Sequence, residues 1–329
     1  MLRKALSAVS LFAFILLTCS WGFLVHRTST QVAIYELPKN IQPFFYKEMG
    51  YLVKNCTRPD ERRNSDQTEA PKHFIDIDAY GTNAINEMPL TWDEAVKKYT
   101  KDTLFKYGYV PYHVVAMKNK LTDAFKAGNK DSILFYAADI SHYIEDANVP
   151  LHTTTNYDGQ LTNQNGLHSL WESMIPELEI NSYDLASKHT ATYLESPEKA
   201  IWEAVRRSNS LVKDVLEKER EVTASFTDST RYRVQIRRGK ESKSYTTAFA
   251  KAYSAALKPT INGQLLNAAN LVADFWYTAW VDAGKPDVSK LVSLSNEDNV
   301  ELEKQMKSFK ANQLLQDKLL IAKKDAQGE

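Results

Sequence analysis

The sequence predicts an all-α protein, and three observations carry the prediction. Glycine and proline are sparse, eleven of each in 329 residues, so few positions break helices. Long segments space their apolar residues three and four apart, the period of one helix face. The stretches that depart from this texture are short and polar. They read as connections, apart from one alternating basic segment that suits a small β-hairpin or exposed flap.

Taken in order, residues 1–20 pair a basic start (Arg3, Lys4) with an apolar run too short to span a bilayer comfortably, ending Thr18-Cys19-Ser20. That pattern is a secretory signal peptide, with a retained anchor as the alternative. Leu17-Thr18-Cys19 also resembles a lipoprotein site, which would put lipid on Cys19. Cleavage after Ser20 leaves Trp21 at the mature terminus. The chain then divides into the signal peptide (1–20), a functional domain (21–288) and a charged C-terminal helical tail (289–329). Roughly 310 residues remain, enough for a sizeable core. Net charge is zero for the whole chain and about −2 without Arg3 and Lys4, so bulk charge recruits neither nucleic acid nor membrane. Cys56 is the only cysteine left after processing, which excludes an intrachain disulfide. The stability of an exported chain then rests on its core and on bound metal.

Residues 28–54 read as two helices broken at Pro38. Asn55–Lys72 is a polar loop, and His73–Asp78 alternates so that an extended segment points His73, Ile75 and Ile77 one way. Thr91-Trp92-Asp93-Glu94 caps a helix expected to run to about Tyr107. Pro111 opens another, to about Ala127. Asp131–Ala147 is a third, with Ile133, Phe135, Tyr136 and Ile140 expected on its inner face. Thr153–Gly166 is a loop. Helices follow at about 167–180, 182–192 and 197–221. From Arg231 to Lys243 six Lys or Arg residues stand against one acid, Glu241. Such a run is ordinarily surface charge; beside a cleft it steers phosphate-bearing ligands. Helix resumes from Thr246 to about Gly284 with a break at Pro259, and the tail carries one from about 296 to 325.

The stretch around which the chain is organised is Ser141–His152. His142 and Asp146 are four apart, as are His168 and Glu172, so each imidazole shares a helix face with a carboxylate one turn away. Pro150 ends the first helix and redirects His152. One such pair alone is ordinarily a solvated ion pair. Two pairs, with a fifth candidate just past a helix-breaking proline, point to a metal site, because imidazole and carboxylate are the donors zinc takes. A mature terminus at Trp21 adds an amino group and a carbonyl that can chelate, with His26 close by. Taken alone, that is a weak feature.

Read together, these residues resemble the superfamily joining bacterial zinc-dependent phospholipases C to fungal single-strand nucleases. The match rests on His-x-x-x-Asp-x5-His followed by His-x-x-x-Glu, with a cleavable Trp-Gly-x-x-x-His start, and runs closely from Trp21 to about Pro176. The resemblance implies nine ligands for three zinc ions: Trp21, His26, Asp60, His73, His142, Asp146, His152, His168 and Glu172. It places Asp60, His73, His142 and Asp146 on one zinc. The Trp21 amino and carbonyl groups, His26 and a bridging Asp146 hold the second, and His152, His168 and Glu172 the third. A bridged pair about 3.5–4 Å apart supplies hydroxide near neutral pH, with Asp60 and Asp146 in the catalytic group. His113 and His189 match no ligand position and read as structural.

The choice of phosphodiester follows from smaller features. The family's nucleases carry an arginine three residues after the loop aspartate, as Arg63 follows Asp60, where it clamps phosphate. His73-Phe74-Ile75-Asp76 has the nuclease form, in which Phe74 stacks on a base and Asp76 bonds its edge; a plain core role for Phe74 is the alternative. Glu172 in place of aspartate and the short His152–His168 loop lean towards the phospholipases. The expectation is a secreted or periplasmic zinc phosphodiesterase acting on single-stranded nucleic acid or nucleotides. Phospholipid is the alternative substrate, and no feature calls for an obligate protein partner. A non-catalytic, zinc-stabilised binding protein is the competing class.

Overall fold

A computed structural model describes residues 22–237, 240–257 and 259–323. Trp21, Cys19 and the signal peptide lie outside the described residues. The fold is all-α with one antiparallel hairpin. Its centre is built from α1 (Phe23–Tyr35), α8 (Val110–Lys126), α9 (Lys130–Ala147) and α15 (Thr260–Asp282), which pack against one another. Local chemistry fixes their ends. Pro111 sits in the first turn of α8, where its missing N–H is no loss. Asn129 caps α9 by accepting from Ser132 N at 3.0 Å. Phe45, Trp276, Ile140 and Leu121 are among the buried apolar residues that fill the space between them.

Short helices α2 (Gln42–Lys47), α3 (Met49–Asn55) and α4 (Arg58–Arg62) lie over α1 and α9. After an irregular stretch come α5 (Ala84–Glu87), α6 (Trp92–Tyr99) and α7 (Lys101–Tyr107). The single helix expected from Thr91 to Tyr107 is two, because Thr100 has φ 68 and turns to cap α7. The extended segment expected over His73–Asp78 is not formed: His73 (φ −92, ψ −14) closes a 3-10 turn, residues 74–76 are irregular, and Ile77 opens another 3-10 turn, although His73, Ile75 and Ile77 are all buried. On α9, Ile133 and Ile140 face inward but Phe135 is exposed, with the Arg58 guanidinium 4.0 Å above its ring.

Past the loop, α10 (Leu167–Ser169), a π-helical turn over Leu170–Met174 and α11 (Ile175–Glu179) form one continuous helical stretch. The helix expected at 182–192 is absent. Residues 183–196 run extended along α15, whose side chains take the backbone donors: Asp184 N to Asn262 Oδ1, Thr192 N to Asp274 Oδ1 and Leu194 N to Thr278 Oγ1. Asp274 and Thr278 stand one helical turn apart, and Asn262 lies further towards the start of the same helix. Together they outcompete a local helix. Then come α12 (Pro197–Thr223), α13 (Asp228–Arg231), the hairpin β1 (Tyr232–Arg237) and β2 (Lys240–Tyr245), and α14 (Thr247–Leu257). Past α15, α16 (Asn296–Lys310) gives way to an irregular strap. The strap lies on α1 through Gln31 Nε2 to Leu319 O at 2.9 Å and Ile321 N to Gln31 Oε1 at 2.9 Å.

Candidate metal centre

The site is assembled from six places in the chain. α9 supplies His142 and Asp146 on one face, both buried. α1 lies across that face and presents His26, whose ring stacks on His142 at 4.2 Å between centroids. The end of the 3-10 turn over Ala70–Lys72 brings in His73, and α4 brings Asp60. Two arginines flanking Asp60 hold α4 in place. Arg58 Nε and Arg62 Nη2 reach opposite oxygens of the buried Asp139 on α9, at 3.1 and 2.8 Å. The 3-10 turn opened by Pro150 carries His152, and the π-turn region carries His168 and Glu172.

These donors fall into three groups, each with its ligand atoms within 4.8 Å of one another: His26, His142 and Asp146; Asp60, His73 and His142; His152, His168 and Glu172. Asp146 turns Oδ2 to His73 Nδ1 (2.8 Å) and His142 Nε2 (3.3 Å), and Oδ1 to His26 Nε2 (3.7 Å). That is the placement of a bridging carboxylate. Asp60 Oδ1 lies 3.7 and 3.6 Å from His73 and His142. Glu172 reaches His168 Nε2 at 2.7 Å and His152 Nε2 at 3.6 Å.

The residues suit zinc on three counts. Donor types and numbers are those of zinc sites. The buried Nε2 of His152 has no hydrogen-bond partner in the protein, a costly arrangement unless an electrophile takes the lone pair. Three of the five imidazoles have their other nitrogen held from outside: His26 Nδ1 by Glu145 Oε2 at 2.6 Å, His152 Nδ1 by His73 O at 2.7 Å, His168 Nδ1 by Tyr157 O at 3.2 Å. Such outer bonds fix the tautomer that points Nε2 at a metal. Glu69, also bonded by Tyr143, lies 3.6 Å from His73 Nε2.

Electrostatics agree. Burial alone lowers the proton affinity of His26 and His152, yet the carboxylates around them overcome it. His26 is pushed up to about 10 by Glu145, Asp146 and Asp60, and His152 to about 9 by Asp146 and Glu172. In return, burial raises Asp146 but His142, His152 and His73 bring it down to about 2. The pocket is a strongly negative field that attracts cations.

Opening onto these groups is a cleft of about 590 Å³, whose lining includes His73, His152 and His168 together with Arg63, Phe74 and Asp76. Arg63 is exposed and reaches Asp60 Oδ1 at 3.3 Å. Phe74 is half-buried and backed by Gly108. Burial and the neighbouring Asp78 push Asp76 up to about 7. His113 lies under the site, edge-on to Tyr143 at 4.5 Å, and burial lowers it to about 3. His189 bonds Asp274 at 2.8 Å, away from the cleft lining. Glu145, Glu69 and Asp139 escaped the sequence reading. Two of them had a visible feature: Asp139, His142, Glu145 and Asp146 share one face of a helix whose other inward residues are mostly apolar.

Scaffold and site define a class: an all-α protein whose helices gather imidazole and carboxylate donors at the floor of one cleft. More narrowly, the chain belongs to the S1/P1 nuclease family, whose model matches residues 21–275. Among solved structures, the alpha toxin from Clostridium absonum is similar over 80% of this chain and 65% of its own, at 14% identity and a TM-score of 0.48. The Clostridium perfringens alpha-toxin is similar over 79% and 64%, at 14% identity and a TM-score of 0.46. The chain thus spans a little under two thirds of each toxin. No curated protein matches it.

Proposed function

We propose that this protein is exported and uses three zinc ions to hydrolyse phosphodiester bonds in single-stranded nucleic acid or nucleotides. The observation that carries the substrate assignment is a shared wall: Arg63, Phe74 and Asp76 line the same cleft as His73, His152 and His168. Asp60, His73, His142 and Asp146 would hold one ion. His26, Asp146 and the Trp21 terminus would hold a second, and His152, His168 and Glu172 the third. Zinc bound there supplies Lewis acidity and lowers the pKa of water towards neutrality.

The chain's own residues do the rest. Asp146 offers one oxygen to each of two donor groups. Glu145, the His73 carbonyl and the Tyr157 carbonyl hold three imidazoles with Nε2 directed inward. Arg63 donates to a non-bridging phosphate oxygen and sets the position of phosphorus. Phe74 offers its face to a base, an interaction of about 1–3 kcal/mol that tolerates any sequence. Asp76 bonds the base edge.

The test compares denatured DNA, RNA and phosphatidylcholine vesicles, with and without chelator. Chelator should abolish cleavage, and Arg63→Ala should cut nucleic-acid cleavage about tenfold to a hundredfold while sparing lipid. Cleavage of vesicles alone, or an equal effect of Arg63→Ala on both substrates, refutes the nuclease assignment. Asp60→Asn separates enzyme from binding protein: turnover should collapse with modest metal loss, and a parent that binds substrate without turning it over contradicts catalysis. Export predicts a mature protein beginning at Trp21; lipid on Cys19 contradicts it, because an acylated terminus removes the Trp21 amine from the second ion.

A further inference from the structure

Two donors of the third group depend on a single loop. His168 and Glu172 ride on the helical stretch over 167–179. A helix leaves its first amides without partners of its own, and Gly166, at the cap position here, has no side chain to accept one. The acceptors come instead from the loop upstream. Asp158 Oδ2 accepts from Gly166 N at 3.0 Å, and Oδ1 from His168 N at 3.2 Å. The Asp158 carbonyl accepts from Leu167 N at 3.4 Å, and the neighbouring Tyr157 carbonyl from His168 Nδ1 at 3.2 Å. Two adjacent residues thus hold both the start of the helix and the ring of its first ligand.

Asp158 also lines the metal cleft. An aspartate there has two uses, one acting on substrate and the other anchoring the scaffold. Its bonds decide for the anchor, because both oxygens are directed to backbone N–H groups of the ligand helix, as those of a capping side chain are. The rest of the loop is held by other residues. Asp78 accepts from Thr154 Oγ1 and Thr155 N, each at 2.9 Å. Asn156 Oδ1 accepts from Leu161 N at 2.8 Å, and Gln164 Nε2 donates to Glu219 Oε2 at 2.6 Å. Removing the Asp158 carboxylate therefore frees the start of the helix without dismantling the loop.

Resting on the assignment of His152, His168 and Glu172 to one zinc ion, we propose that Asp158 is the positioning residue for that ion. It pins the helix so that His168 and Glu172 converge with His152. Outer contacts of this kind change metal affinity about tenfold to a hundredfold. The experiment dialyses the zinc-loaded full-length mature protein against a weak chelator and counts the zinc retained. It also follows backbone hydrogen exchange in the zinc-free form. The parent should keep about three ions and Asp158→Ala about two, the lost ion binding about tenfold or more weakly. Asparagine retains an acceptor oxygen and caps helices as well as aspartate does, so Asp158→Asn should keep about three. Without zinc, the Gly166 and His168 amides should exchange about tenfold faster in Asp158→Ala than in the parent. Zinc held as tightly in Asp158→Ala as in the parent overturns the proposal. Loss of all the ions together marks general destabilisation and overturns it too. So does lost turnover in Asp158→Asn with its zinc retained, which gives the carboxylate a direct part in the chemistry. If the parent takes up no zinc, the metal reading fails by itself and exchange decides the anchor: faster rates in Asp158→Ala but not in Asp158→Asn support it, and unchanged rates overturn it.

Discussion

Replacing Gly108 with alanine tests how rigidly the chain holds the segment that supplies His73, Phe74 and Asp76. Gly108 sits at φ 82 and ψ 157, a region almost closed to residues with a Cβ and costing them about 1–3 kcal/mol. An alanine Cβ there would lie 2.6 Å from Phe74 Cδ2 and 2.7 Å from its carbonyl carbon, whereas ordinary carbon contacts fall near 3.5–4.0 Å. Relief needs a displacement of about 1 Å, and such overpacking costs a further 1–3 kcal/mol or so. The segment has little room to give. Ile75 N bonds His152 O at 2.9 Å, Asp76 N bonds Tyr107 O at 2.8 Å, and Val110 N bonds Phe74 O at 3.1 Å. The combined destabilisation is about 2–6 kcal/mol, which for a chain of this size lowers Tm by about 5–15 °C. Because His73 rides on the displaced segment and the His152 carbonyl is bonded to it through Ile75 N, kcat/KM on denatured DNA should drop about a hundredfold. Calorimetry and a nuclease assay on the same preparation read both. A Tm within about 1 °C of the parent, with activity within twofold, would refute the claim that Gly108 seats the ligand segment.

Asp139→Ala should destabilise by about 3 kcal/mol, because it strips the buried carboxylate that Arg58 and Arg62 share; an unmoved urea midpoint would show that α4 is held otherwise. Glu145→Gln should weaken zinc binding about tenfold to a hundredfold by loosening His26, read by competition with a zinc chelator, and equal affinities would contradict the outer-bond argument. Glu36 gives a pH test away from the site. Burial pushes it up to about 8 from an ordinary 4.5, with Ser187 opposing. The folded chain then holds that proton more tightly than the unfolded one, so its contribution to stability is lost as pH rises from about 4.5 to about 8. Glu36→Gln should flatten the fall of Tm across that window, and a parallel fall in both proteins would count against a protonated Glu36.

Much of the helical fold was legible because amphipathic spacing and caps are local. Asn129, Pro111 and Pro150 set boundaries that no distant residue needed to endorse. The helix expected at 182–192 fails for the opposite reason: backbone donors of residues 184–194 are taken by Asn262, Asp274 and Thr278 on a helix some eighty residues away, and nothing local announces that competition. Thr100 split a helix through a positive φ that its residue type does not advertise. At the site, His142 with Asp146 and His168 with Glu172 could be read because four-residue spacing on a helix is a statement about space. Asp60 and His73 could not be read that way. They lie on a short helix and at the end of a 3-10 turn, and only the resemblance singled them out. Glu145 and Asp139 were hidden among many acids, although their place on a buried helix face sets them apart.

The central claim is that these donors bind metal together, and elemental analysis of the mature protein tests it most directly. Protein purified without chelator should carry about three zinc ions per chain, one for each donor group; substituting Asp146 should remove more than one of them. Protein that carries no zinc and takes up none on titration would contradict the account.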